Sequence, residues 1–430
     1  MLVDSNCREK GLLAHRFLEI GRKVDQQALS DVKVLDLTWH IAGPYCTKLL
    51  ADYGADVVKI ERPGLGDPSR RMGPFPQDQP DTEKSGLFLH LNTNKKGITL
   101  NLKSDKGKAI FMRLLRDVDI LVESFGPRVM PSLGLDFPAL HAANEKLVML
   151  RISNFGQTGP YRDFKLSEIV LSAMGTSMKT CGQPDREPLK LAGNLLQYQA
   201  GLMAAIAGMA ALACSRATRV GQQVDVSLME TCLGSIDRRA PSLLGHQYTG
   251  DVSTRIGSGR GGTMSGCPEG VYPCQDGYFD VVGGAAWWPR NFAMLGSPAN
   301  LSDPAYGTME GQMDPRRQED ILTALYTWAM ARTKQEVWEA SGSARAAAAP
   351  LYNIEEVVND PHFKARGTFV EIEHPRAGRL RYPGASFRPM ETPWRVNRPA
   401  PLLGEHNREV YGELGYTAED LAGLREADVI

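Results

Sequence analysis

Between Val32 and Gly156 short apolar segments alternate with helical ones, and that alternation leaves room for few architectures. "VKVLDLT" (32–38), "DVVKIERP" (56–63), "GITLNL" (97–102), "DILVESF" (119–125) and "KLVMLRISNFG" (146–156) are short, apolar and rich in β-branched residues, as buried strands are. "AGPYCTKLLADYGA" (42–55) carries Leu and Ala at helical spacing and runs to Gly54, a residue suited to a C-cap. "KSDKGKAIFMRLLRDV" (103–118) reads as a second helix. Strands alternating with helices build an α/β domain around a mostly parallel, doubly wound sheet.

Past Gly156 the pattern changes. Residues 168 to about 217 are helical and rich in Ala, Met and Leu, and "GQQVDVSLMETCLG" (221–234) adds a strand and a helix. Residues 245–284 are dense in glycine and turn signals, residues 315–349 are helical again, and "RYPGASFRP" (381–389) reads as strand and turn before short closing helices. A chain of 430 residues accommodates two or three domains of roughly 100–200 residues each. The partition expected is an N-terminal extension over 1–30, the first part of a large domain over 31–220, a linker over 221–245, a small α+β domain over 246–370, and a linker with C-terminal return over 371–430.

Composition excludes several functions. A net charge of -1 points to no nucleic acid and no anionic membrane. The seven cysteines are scattered without a C-x-x-C pair, so neither a disulfide framework nor a zinc site is expected, and a reducing cytoplasm suits them. The histidines form no metal-binding pair, and no metal is expected. Residues 1–33 lack the apolar core of a secretory signal, and no window approaches the roughly 20 apolar residues of a membrane span.

In open α/β sheets ligands gather beyond the carboxyl ends of the strands. Those ends carry "WHIAGP" (39–44), "ERPGLGDPSRR" with Arg62, Arg70 and Arg71, "SFGPRVM" with Arg128, and "SNFGQTGP" (153–160), while "NTNKKG" (92–97) precedes the third strand. On any one loop such residues are ordinary solvated charges. Together they offer Arg, Lys, Asn and glycine backbone suited to a phosphate-bearing ligand. Neither G-x-G-x-x-G nor the phosphate loop of nucleotide hydrolases occurs, and G-x-S-x-G is absent. His40 could touch a ligand or pack. Asp225 reads as structural. "GSGRGG" (257–262) is either a surface loop or a lid. Glu168, by spacing alone, is a carboxylate that complements the start of a helix.

Taken together, "VLDLTWHIAGPYCTKLLADYGADVVKIERPGLGD", "NTNKKGITLNLKSDKGK", "DILVESFGPRVMPSLGLD", "ISNFGQTGPYRD", "GQQVDVSLMET", "GVYPCQDGY" and "PAPLLGEHNREVYGELGY" resemble the family III CoA-transferases, also called CaiB/BaiF or formyl-CoA transferases, and stand in that family's order. The resemblance spans about Val32 to Tyr416. It implies a large Rossmann-like domain with a smaller α+β domain, in an interlocked homodimer. It implies coenzyme A and acyl-CoA as substrate, carboxylic acids as acceptors, and no tightly bound cofactor. By position, Ile41 and Ala42 would contact CoA and Arg62 its phosphates. Asn92, Thr93, Asn94, Lys95, Ser124, Phe125, Gly126, Asn154, Phe155, Gly156 and Gln157 would line the same groove. Gly257, Gly259, Gly261 and Gly262 would form the lid.

In these transferases an Asp after "GPYRD" attacks the thioester, giving an anhydride and then an enzyme–CoA thioester. That Asp falls here on Glu168, one methylene longer. The chain also carries "LLQYQAG" (195–201) where many members have an Asp, so it resembles a divergent branch. The activity implied is acyl-CoA:carboxylate CoA transfer with Glu168 as nucleophile. Two alternatives remain open: a non-catalytic acyl-CoA-binding paralogue, and a racemase of the α-methylacyl-CoA type, whose branch tends to carry His where this chain has Ser167. Trp287 and Trp288 either line an acyl pocket or pack in a core.

Overall fold

Six parallel strands in one sheet organise the larger part of the chain. The computed structural model describes residues 26–182, 186–234, 239–250, 252 and 266–430. In chain order the elements are β1 (Lys33–Leu37), α1 (Ala42–Asp52), β2 (Asp56–Glu61), α2 (Gly86–Leu91), β3 (Lys95–Thr99), α3 (Asp105–Leu115), β4 (Ile120–Glu123), α4 (Phe137–Ala143), β5 (Val148–Ser153), α5 (Glu168–Met174), α6 (Leu195–Thr218), β6 (Gln222–Ser227) and α7 (Leu228–Gly234). β4 and β5 are buried at every position, because a parallel sheet is covered by helices on both faces. The strand order, β3-β2-β1-β4-β5-β6, reverses between β1 and β4, and a sheet of this order opens a ligand crevice at that reversal.

Small residues let α6 approach the sheet and α1. A Cβ on Gly201 would lie 2.4 Å from the Ala42 carbonyl oxygen, and one on Gly208 would lie 2.7 Å from Leu150. Tyr45 of α1 meets Tyr198 of α6 edge-on at 4.8 Å, pinning the two helices together. By length and composition α6 could cross a bilayer, although the sequence suggested no such window. Its Ala200, Ala204, Ala211 and Leu212 are buried within the protein.

The chain divides into two compact units. One comprises the chain up to Leu171 with Gly193–Ser235 and Thr368–Ile430; the other comprises Ser172–Ala192 and Ile236–Gly367. Residues 221–234, expected as a strand and a helix within the span 221–245, form β6 and α7. β6 pairs with β5 along its whole length, which satisfies the outer edge of that strand. The second unit holds an antiparallel sheet of β7 (Gly270–Cys274), β8 (Gly277–Val281) and β9 (Ala348–Pro350), with α8 (Trp288–Met294), α9 (Pro315–Met330) and α10 (Lys334–Ala344). Trp288 belongs to its core, packed with Tyr272, Phe279, Ile321 and Leu325.

After Thr368 the chain forms the hairpin of β10 (Phe369–His374) and β11 (Gly378–Pro383), then α11 (Asn407–Glu413) and α12 (Ala418–Glu426). This return covers the exposed edge of β3. Asn407 accepts from the Thr99 N–H at 2.9 Å, His406 N–H donates to the Gly97 carbonyl at 2.9 Å, and the Tyr411 hydroxyl donates to the Thr99 carbonyl at 2.6 Å. A capped edge has no free ladder for another chain to join.

Candidate active site

A cavity of about 350 Å³ opens at the strand-order reversal. The loops after β1, β4 and β5 supply Trp39, His40, Ile41, Ser124 and Asn154, the first residues of α1 and α7 supply Ala42, Gly43 and Leu228, and Glu168, Asn194 and Gln197 also line it. A groove lined by Ser124–Val129, Asn154, Arg162, Asp163, Phe164 and Lys165 shares Ser124 and Asn154 with it.

Each loop is held by a carboxylate of the sheet, buried at Asp36, Glu61 and Glu123 and exposed at Asp225. Asp36 accepts from the N–H and hydroxyl of Thr38 and from the Thr47 hydroxyl, and pairs with Lys95 at 3.0 Å. Burial would raise its carboxyl, but Lys59, Lys95 and the two hydroxyls overcome that and hold it at about 2. Glu61 accepts from the Asp67 N–H at 2.7 Å and binds Arg70 at 2.8 Å. Glu123 accepts from the Phe125 N–H and from Arg151, both at 2.7 Å. Asp225, on β6, accepts from the Gln157 N–H at 2.8 Å, so its expected structural role has a specific object. In every case a short carboxylate meets the backbone N–H groups that a chain leaving a strand would otherwise orphan.

These pairs change the reading of the basic residues. Lys95 is fully buried, donating to Asp36, Asn92 and the Pro44 carbonyl, and burial pushes its ammonium down to about 8 despite Asp36. Asn92 and Thr93 are buried beside it, and Asn94 donates to Asp52 at 2.8 Å. Thr93 and Asn94 thus serve Asp52, Lys95 serves Asp36, and Asn92 donates to the Phe88 carbonyl, and none of the four is among the residues that line this cavity. Arg70 is likewise internal: it bridges Glu61 and Glu83 and lies 3.7 Å over the Phe88 ring. Arg62 differs. It is exposed, with its guanidinium 4.4 Å over the Trp39 ring at the edge of the cavity. Arg128 stands in the groove, held by Asp163 at 2.6 Å.

The remaining expected contacts divide. Ile41 and Ala42 line the cavity, Phe125 and Gly126 line the groove, and Ser124 and Asn154 face both. Phe155, Gly156 and Gln157 form the turn beside them, with Gly156 at φ +86. That left-handed turn brings the Gln157 N–H to Asp225 and favours glycine. Gly257, Gly259, Gly261 and Gly262 lie outside the described residues.

Two helix N-termini meet this cavity. Among the described residues no side chain caps α1, and its first turn holds no acidic residue, so the N–H groups of Ala42 and Gly43 are available at the wall. Gly43 is required there, since a Cβ would lie 2.3 Å from that of Thr38. The second terminus is that of α6. The Glu168 carboxylate accepts from the Leu196 N–H at 2.9 Å and from the Gln197 amide at 3.3 Å, and the residue is only 8% exposed. Asn194, at the N-cap, makes no side-chain cap, so Glu168 takes that place from another helix. The sequence offered one signal for this, the Asn before "LLQYQAG", and no signal for which carboxylate would reach it.

A doubly wound sheet whose reversal carries open helix amides, an exposed arginine and a seated carboxylate is the framework of an α/β protein suited to an anionic ligand. The chain belongs to CoA-transferase family III, whose profile matches residues 29–407, and it is a CoA-transferase by that membership. It is 34% identical to the succinyl-CoA–D-citramalate CoA-transferase of Chloroflexus aurantiacus, over 94% of this chain and 98% of that one. It is 31% identical to a formyl-CoA:oxalate CoA-transferase of Rhodopseudomonas palustris, over 94% and 97%. A CaiB/BaiF family protein from Brucella suis has the same fold, with a TM-score of 0.78 and 27% identity over 91% of this chain and 100% of that one.

Proposed function

We propose that the protein transfers CoA from an acyl-CoA donor to a free carboxylic acid, with Glu168 as the covalent nucleophile. The observation that carries this is the Glu168 carboxylate in a cavity that Ala42 and Gly43, the first residues of α1, also line. In the first step a Glu168 oxygen attacks the thioester carbonyl, and the tetrahedral adduct expels CoA as the thiolate, leaving a mixed anhydride between Glu168 and the donor acid. The thiolate then attacks the glutamyl carbonyl of that anhydride, releasing the donor acid as its carboxylate and leaving a glutamyl–CoA thioester. An acceptor carboxylate repeats the two steps in reverse and restores Glu168. Covalent catalysis divides one difficult exchange into easier ones. Each addition puts charge on a carbonyl oxygen, and helix N-terminal amides are suited to receive it.

The CoA nucleotide would lie toward Arg62 and the groove of Arg128 and Lys165, with Ser124, Phe125, Gly126, Asn154, Phe155, Gly156 and Gln157 along its path. A homodimer is the working form we infer. Leu195, Leu202 and Ile206 lie 45–55% exposed along one face of α6, with Ile169 and Leu233 also exposed, which suits burial against a second copy. We place the enzyme in the cytoplasm, where the six described cysteines would stay free thiols.

The test is peptide mass spectrometry after incubation with a panel of acyl-CoA donors and free acids. CoA attached to Glu168, and absent from a Glu168→Gln control, supports the reading, and the productive donor begins to define the acids. The hydrogen bond from Leu196 also suits a second reading, in which Glu168 only caps α6 and the chain binds acyl-CoA without turnover. Tight CoA binding with no adduct and no exchange for any pair would select that one.

A further inference from the structure

We propose that Lys59 and Asp67 are positioning residues for acyl transfer: their buried ion pair holds the turn at His40 and so aims the first amides of α1 into the cavity. This rests on the transferase reading above. Lys59 lies in β2 and Asp67 in the loop that follows it, and both side chains are fully buried, 2.9 Å apart. Neither lines the cavity.

Their hydrogen bonds leave the pair in two directions. Lys59 Nζ donates to the Thr38 carbonyl at 2.8 Å, and Asp67 Oδ1 accepts from the His40 N–H at 3.1 Å. Between those two points stands Trp39, whose N–H donates to the Ser124 hydroxyl at 2.9 Å. Three successive residues thus have their backbone groups fixed from three sides. The fixing matters because His40 sits at φ +66, in the left-handed region that non-glycine residues rarely adopt. Two residues later α1 begins, with the Ala42 and Gly43 amides at the cavity wall. A relaxed His40 would change the direction from which the chain enters the helix, and with it the aim of those amides.

A buried ion pair is a weak source of net stability, because desolvation offsets its attraction. What this pair supplies is direction. Asp67 Oδ1 also accepts from the Ser69 N–H at 2.8 Å, and Asp67's own N–H donates to Glu61 at 2.7 Å, so the carboxylate cannot swing away from His40. Preorganised donors lose most of their value when displaced by about 1 Å.

The experiment compares Asp67→Asn, which keeps an oxygen for the His40 N–H, with Asp67→Ala, which does not. Both are read by steady-state kinetics beside the unaltered enzyme. For Asp67→Ala the expected result is a roughly 100-fold fall in kcat with KM for the CoA thioester within about threefold, and recovery of at least tenfold of that loss in Asp67→Asn. Unchanged kcat in folded Asp67→Ala, or equal losses in both variants, overturns the proposal. Should Asp67→Ala fail to fold, the double replacement Lys59→Met with Asp67→Leu removes both charges together; lost kcat with retained CoA binding then supports the proposal, and unaltered kcat overturns it. Absence of turnover in the unaltered enzyme would overturn the transferase reading itself and this inference with it, a pattern distinct from active enzyme with indifferent variants.

Discussion

Shortening Glu168 to Asp tests whether this cavity is built for the longer arm. The replacement keeps the charge and the helix start but withdraws the carboxylate by one carbon–carbon bond, about 1.5 Å. The contact with the Leu196 N–H, now 2.9 Å, would stretch to more than about 4 Å, past hydrogen-bond range. Loss of a hydrogen bond to a charged group in a nearly buried site costs about 1.5 kcal/mol of stability. Retreat of the nucleophile from a preorganised geometry costs about 100-fold in kcat. Glu168→Gln keeps the acceptor oxygen for Leu196 but cannot form the anhydride, so it should be nearly as stable as the unaltered protein and inactive. Thermal unfolding and initial rates on one productive donor–acceptor pair, measured on all three proteins, separate the two effects. A Glu168→Asp enzyme as fast as the unaltered one would refute the reasoning, because the seat at the end of α6 would then have no bearing on the chemistry.

Other perturbations divide ligand contacts from scaffold. Arg62→Ala should raise KM for the CoA thioester about tenfold with unchanged melting temperature, since among the described residues the exposed guanidinium has the Trp39 ring as its one side-chain contact. Arg70→Ala should instead cost about 3–5 kcal/mol in denaturant unfolding, because it strands the buried Glu61. Asp36→Asn should cost about 3 kcal/mol at neutral pH. The Asp36 carboxyl sits at about 2 in the folded state against an ordinary 3.8, so its stabilisation is complete above pH 4 and lost as pH falls toward 2. The gap between the unaltered protein and Asp36→Asn should therefore narrow across that window in urea titrations. Gly201→Ala should cost about 1–3 kcal/mol, read as a lowered urea midpoint, since its methyl would meet the rigid Ala42 carbonyl at 2.4 Å.

The sheet was legible because a parallel strand buried on both faces must be apolar, and "VKVLDLT" and "KLVMLRISNFG" have no other stable use. The third strand shows the limit of that rule. Its expected span was 97–102, and it runs Lys95–Thr99. Two lysines look like loop residues until Lys95 is seen to point inward at Asp36, a partner 59 positions away that no local pattern reveals. The same blindness hides the partners of Arg70, whose guanidinium the fold gives to Glu61 and Glu83. A charge in a sequence reads as exposed, and only the fold shows which charges have been spent on each other. The hairpin of β10 and β11 was only partly visible, through "RYPGASFRP", since short exposed strands carry little apolar pattern. Glu168 was singled out only by its family position. The Leu196 amide that orients it comes from a helix 28 residues onward.

The closure of β3 by the last residues of the chain has a consequence for biosynthesis. β3 is complete at Thr99, yet its outer partners, His406, Asn407 and Tyr411, are translated about 300 residues later. Arg70 likewise waits for the Pro401 carbonyl, which it meets at 3.0 Å. During those intervening residues, which at about 5–20 residues per second occupy tens of seconds, the nascent large unit presents an open strand edge. A chain released early, for instance by a stop codon near residue 390, would hold nearly every residue of the site and still lack the segment that keeps its first-made edge from joining another chain.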